Sequence, residues 1–117
     1  MRLNEIAYND AVPIDSYGPG FFRVGGKRHD GAMIVSPSGV SAWGGFDDFA
    51  APLTLAGKID VLFVGTGAEI AHAPAAFRAA MEEAGMGVET MASPAACRTY
   101  NVLLSEGRRV AVALLPI

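Results

Sequence analysis

Ile59-Asp60-Val61-Leu62-Phe63-Val64, closed by Gly65-Thr66-Gly67, is the stretch on which the fold turns. Its run of β-branched and large apolar residues fits a strand covered on both faces, as in a sheet flanked by helices. Downstream, Pro74 suits a first helical turn. Phe77, Ala80, Met81 and Ala84 then recur at helical spacing opposite Arg78, Glu82 and Glu83, and Gly85 marks the stop. Val88 to Met91 predicts a strand. Ser93 reads as an N-cap with Pro94 at the first helical position, and the helix runs to about Glu106 before Gly107. Val110 to Leu115 predicts a last buried strand. The order strand, helix, strand, helix, strand makes the first two strands parallel through a crossover. The direction of the third is open.

Upstream the chain is glycine-rich and β-like. Phe21 to Gly25, Ala32 to Val35 and Val40 to Trp43 predict a β-meander, with Ser36-Pro37-Ser38-Gly39 matching a type I turn. Lys27-Arg28-His29 reads as a solvated basic turn. Within Phe46 to Gly57, Asp47 or Asp48 offers a cap for a short helix that Pro52 interrupts.

The 117 residues suffice for one domain, expected over residues 1–117. With 51% hydrophobic and 18% charged residues, the composition is globular rather than disordered. Met1 to Asp10 has no apolar run of the signal-peptide kind, and no apolar stretch is long enough for a bilayer. The net charge of −3 and scattered basic residues argue against a nucleic-acid surface. The lone cysteine, Cys97, excludes an intrachain disulfide and fits a reducing compartment.

Gly65-x-Gly67 after a strand invites a dinucleotide reading. The third glycine of that fingerprint would fall at Ile70, and the helix begins several residues too late. The plain alternative is that the two glycines permit a sharp turn and a close approach. Glu89 stands at a loose spacing for a ribose contact. His29 and His72 lack partners at metal-ligand spacing, so no metal or cofactor is expected. Cys97, in the first turns of a helix beside Arg98, is tested as a nucleophile against the simpler reading of a packed thiol.

Arg98, Tyr100 and Asn101 form the more pointed group. An arginine near a helix start opposes the dipole, so a carboxylate (Asp15, Glu69 or Glu89) or an anionic ligand would favour it. The competing reading is an internal hydrogen-bond network that fixes the helix against the glycine loops. Tyr17 and Gly18, in the loop Asp15 to Gly20, are placed at the same sheet edge as Gly65, Thr66 and Gly67.

Ser16-Tyr17-Gly18, Phe22-Arg23-Val24, Asp60 to Gly67, Ala95 to Leu103 and Glu106-Gly107-Arg108 together resemble a small single-domain family. It includes an archaeal conserved protein of unknown function, an adipogenesis-associated human protein and a mitochondrial assembly factor of respiratory complex I. The resemblance implies an α/β fold of three layers: a mixed central sheet, flanking helices and an additional N-terminal β layer. It brings no reaction with it. In the assembly-factor relatives it implies protein–protein interaction. Three readings follow: a non-catalytic interaction module with respiratory-complex assembly partners, a small-molecule or anion-binding protein or enzyme of unknown reaction with a pocket near Thr66 and Arg98, and a homo-oligomer interface. A cytoplasmic location is expected, since no presequence is visible.

Overall fold

The computed structural model describes residues 12–117. The reading of Met1 to Asp10 lies outside the described residues. Among the described residues, eight strands form two sheets. Strands β1 (Ile14–Gly18), β2 (Phe21–Val24) and β3 (Lys27–Asp30) make a three-stranded antiparallel sheet. Strands β4 (Met33–Ser36), β5 (Gly39–Ala42), β6 (Val61–Thr66), β7 (Gly87–Met91) and β8 (Val110–Leu115) make a five-stranded sheet ordered β5-β4-β8-β6-β7. Strand β6 runs parallel to both β7 and β8, whereas β4 runs antiparallel to β8. The sheet is therefore mixed, and the direction left open for the last strand is parallel.

The β-rich upstream half divides between the two sheets instead of forming one meander. The strand at Phe21 belongs to the small sheet, and those at Met33 and Gly39 form an edge hairpin of the large one. Lys27-Arg28-His29 is strand rather than turn. It pairs with β2 on one side only, and its exposed charges need no apolar face. Arg28 lies over the Phe21 ring at 4.3 Å and bonds Asp30 at 2.9 Å, which accounts for its charge locally.

The described residues also form a 3-10 turn at Gly45–Asp47 and three α-helices: α1 (Ala50–Leu53), α2 (Ala75–Glu83) and α3 (Ser93–Ser105). Asp48 starts α1 by accepting from the Ala51 N–H at 3.1 Å, and Pro52 fits inside that short turn. Backbone donors, Gly44 first and then Ala51, hold the Asp48 carboxyl below its ordinary range. Gly85 and Gly107 end α2 and α3 with φ of 88° and 75°, the left-handed stop that glycine favours.

The alternation along β6 and β8 sorts the core into two layers. Phe63, Val110, Val112 and Leu114 face α3 and the small sheet, meeting Ala96, Cys97, Tyr100, Phe22 and Ile14. Leu62, Val64, Ala111 and Ala113 face α1 and α2, where Trp43, Phe77 and Met81 fill the space that two alanines leave. The Phe77 ring stands 5.2 Å from Phe46, 5.7 Å from Phe49 and 5.9 Å from Trp43. Edge-on and tilted packing of this kind adds to the burial of each ring.

Candidate functional site at the start of helix α3

The register brings the carboxyl ends of the parallel strands together. Gly65 pairs with Met91 on one side and Leu114 on the other, and Thr66 pairs with Leu115. Helix α3 begins two residues after β7, at this edge. Open α/β sheets commonly bind ligands at such a position.

Here the edge is occupied by protein. Ser93 is the first helical residue rather than a cap, and it is fully buried. Its Oγ donates to the Leu115 carbonyl at 2.7 Å and accepts from the Gly67 N–H at 2.9 Å. Its own N–H donates to the Gly67 carbonyl at 2.8 Å. A Cβ on Gly65 would lie 2.7 Å from Ser93 Oγ and 2.9 Å from Ser93 Cα, so only glycine admits the helix this closely. Gly67 takes φ of 100°, a backbone that side-chain-bearing residues rarely adopt. The Gly65-x-Gly67 pattern is thus explained by approach and turn, and the Gly67 amide faces a serine hydroxyl.

Thr66 is committed to its own loop. Its Oγ1 lies 2.7 Å from the Glu69 carbonyl, 3.2 Å from the Met91 carbonyl and 3.0 Å from the Ala71 N–H. The loop carries Ile70 outward with 68% of its surface exposed.

Asn101 reaches the other way, to the small sheet. Its Oδ1 accepts from the Ile14 N–H at 2.9 Å and its Nδ2 donates to the Ile14 carbonyl at 2.8 Å. Tyr100 and Cys97 point into the core. Burial pushes the Cys97 thiol up to about 12, outweighing the downward pull of Arg98, so it is almost wholly protonated at neutral pH. Burial also raises the Tyr100 hydroxyl, which has no hydrogen-bond partner among the described residues.

Arg98 is exposed, and its Nη1 comes within 3.5 Å of the Tyr17 hydroxyl. None of Asp15, Glu69 and Glu89 forms an ion pair with it among the described residues. Asp15 instead accepts from the Gly26 N–H at 2.6 Å. Gly18 ends β1, where the Phe21 ring occupies the space a Cβ would need. A shallow groove of about 290 Å³ beside Arg98 is lined by Thr99, Val102 and Leu103. Thr66 does not line it. Arg98 stands five residues beyond Ser93, about 7.5 Å along the axis and 140° around it.

The structure thus brings Tyr17 to Arg98 on the outer flank of α3, and Gly65 and Gly67 to Ser93 on its inner side. Asn101 joins neither group. Sequence reasoning missed Ser93 as a joint and Val102 as an exposed apolar residue. An aliphatic residue between Arg98 and Glu106 at four-residue spacing was the available signal for Val102.

A mixed five-stranded sheet with helices on both faces, and a small antiparallel sheet latched to one helix, defines the class: a compact α/β domain. The chain belongs to the family described as a protein of unknown function (DUF498/DUF598), whose model matches residues 14–115. An uncharacterized protein of Rhodobacter capsulatus is 48% identical, covering 100% of this chain and 94% of its own. The mouse NADH dehydrogenase [ubiquinone] 1 alpha subcomplex assembly factor 3 is 34% identical over 99% of this chain, which spans 66% of that factor's length. The crystal structure of a protein described as an outer membrane protein from Bartonella henselae superposes with a TM-score of 0.83 at 36% identity, covering 93% of this chain and 98% of that one. No helix among the described residues is long and apolar enough to cross a membrane.

Proposed function

We propose that this chain is a non-catalytic protein-interaction module acting in the assembly of respiratory complex I, from the cytoplasmic side of the membrane. The observation that carries this reading is the match to the mouse assembly factor along 99% of the chain. The geometry agrees with it. Thr66, Ser93 and Asn101 are engaged in internal hydrogen bonds, and the sheet edge that would hold a substrate is filled by the start of α3.

The test is deletion of the gene in the source organism, followed by native-gel separation of membrane complexes and capture with a tagged copy from soluble and membrane fractions. Loss of assembled complex I, restored by the wild-type gene, together with recovery of its subunits or assembly components, is expected. An unchanged complex I profile with no respiratory component captured overturns the reading.

The second reading, a small-anion site, draws on the exposed Arg98 guanidinium beside the Tyr17 hydroxyl. It requires phosphate, nucleotides or carboxylates to raise the melting temperature of the wild type and not of Arg98→Ala. Equal curves for the two proteins remove it.

A further inference from the structure

The outward side of α3 carries a row that the packing of the two core layers leaves exposed. Arg98, Val102 and Glu106 stand four residues apart and so share one ridge of the helix surface. All three are exposed, and Val102 keeps 56% of its surface open. It is the one large apolar residue so exposed on a helix among the described residues. The groove lined by Arg98, Thr99, Val102 and Leu103 runs beside it.

We infer that this ridge is a self-association surface, on which α3 packs antiparallel against α3 of a second copy about a two-fold axis at Val102. The order of charges singles out that occupant. Read outward from Val102, the ridge is a cation four residues one way and an anion four residues the other. Turning a copy by half a rotation about Val102 lays each Arg98 against the partner copy's Glu106 at both ends. A two-fold interface must be complementary to itself, and this row is. A partner of different sequence imposes no such reversal of sign.

Further features agree. Rows of i±4 spacing interdigitate in the commonest helix-crossing class, at an angle of about 50°. Thr99 and Ser105, three residues to either side of Val102, also face one another in this arrangement. In addition, Glu106 sits at the C-terminal end of α3, where a carboxylate meets the negative end of its own helix dipole. Antiparallel packing supplies it with a guanidinium. The Tyr17 hydroxyl, 3.5 Å from Arg98 Nη1, helps hold that guanidinium at the margin of the ridge. A helix of 13 residues is about 20 Å long, so the contact is smaller than a standard interface of about 1,600 Å². The dimer is therefore expected to be weak, forming only at micromolar concentration and above.

Sedimentation equilibrium from low micromolar to near-millimolar concentration tests this. The wild type is expected to dimerise across that range. Arg98→Glu and Glu106→Arg each place like charges at both ends and weaken the dimer about tenfold or more, about 1.4 kcal/mol by the conversion constant. The double swap restores it. Val102→Cys, at the axis, crosslinks to its mate under mild oxidation faster than Ile70→Cys, an exposed control on another surface. Buried Cys97 stays out of that reaction. All four sites are on the surface, so unchanged thermal melts certify the fold of each variant.

A wild type that stays monomeric overturns the inference. So does a dimer indifferent to the charge swaps, or Val102→Cys crosslinking no faster than the control. The outcome is independent of the assembly role, which is read from complex I levels.

Discussion

Asn101→Ala removes the two-point latch between α3 and the small sheet. Strand β1 is an edge strand, and the Asn101 amide presents to Ile14 the donor and acceptor that a further strand would have supplied. Each bond contributes about 0.5–1.5 kcal/mol net, and a backbone group left dry and unpaired costs about 1–3 kcal/mol. The site is half-buried, so water replaces part of the loss. A destabilisation of about 2 kcal/mol results, lowering the melting temperature by about 8 °C in a domain of this size. Asn101→Asp separates the two bonds. The carboxylate still accepts from the Ile14 N–H, but its second oxygen faces the Ile14 carbonyl, acceptor against acceptor. At neutral pH it is therefore expected to be less stable than Ala, and to recover as acid protonates it. Denaturant unfolding followed by Trp43 fluorescence gives the order of stabilities. Amide exchange at Ile14 locates the effect. An Ala variant within about 0.5 kcal/mol of wild type, with Ile14 as protected as before, refutes the latch.

At the sheet edge, Gly65→Ala drives its methyl into Ser93 and is expected to cost about 1–3 kcal/mol in denaturant melts. Ser93→Ala leaves the Gly67 N–H without its partner and costs a similar amount; the double mutant should fall short of the sum, because both disturb one contact. Tyr100→Phe removes a buried hydroxyl that has no partner among the described residues and should hold or raise stability by up to about 1 kcal/mol, and a marked loss would reveal a bond to that hydroxyl. Stability should also fall in alkali. The unfolded Cys97 thiol ionises near 9.0 and the folded one near 12, so between these values the unfolded chain releases a proton that the native chain keeps. Cys97→Ala should flatten that limb of the pH–stability curve, and an unchanged limb would count against the burial argument.

The downstream half was legible because its signals are redundant. An unalternating apolar strand, helical spacing at Phe77 and Met81, and glycines at Gly85 and Gly107 each point to the same elements. The upstream half was less so. Strand β3 has no apolar residue to announce it, since as an edge strand it needs backbone pairing and no buried face. That two strands of an apparent meander belong to different sheets depends on β4 pairing with β8, a contact across nearly eighty residues that no local pattern encodes. At the candidate site the residue types were visible and their partners were not. Asn101 stood out as a polar residue on a packed helix, but Ile14 as its partner is set by the docking of the small sheet. Ser93 before Pro94 has the appearance of an ordinary cap, and only the closeness of Gly65 makes it a joint.

That joint bears on where recognition can occur. In an open parallel sheet, the crevice at the carboxyl edge is available because the following helix stands off from the strand ends. Here Gly65 lets the first turn of α3 come within van der Waals contact of β6, and Ser93 ties that turn to both Gly67 and Leu115. The crevice is closed by a glycine of the same Gly65-x-Gly67 pattern that invites a dinucleotide reading. Arg98, Tyr17, Val102 and Glu106 lie exposed on the far flank of the helix, beside the shallow groove lined by Arg98, Thr99, Val102 and Leu103. Such a surface buries too little of a small molecule to bind it well, whereas a helix ridge with an apolar centre and charged ends suits another helix. The contact between Gly65 and Ser93 that closes this edge leaves the outer flank of α3 as the surface on which the proposed protein contacts would form.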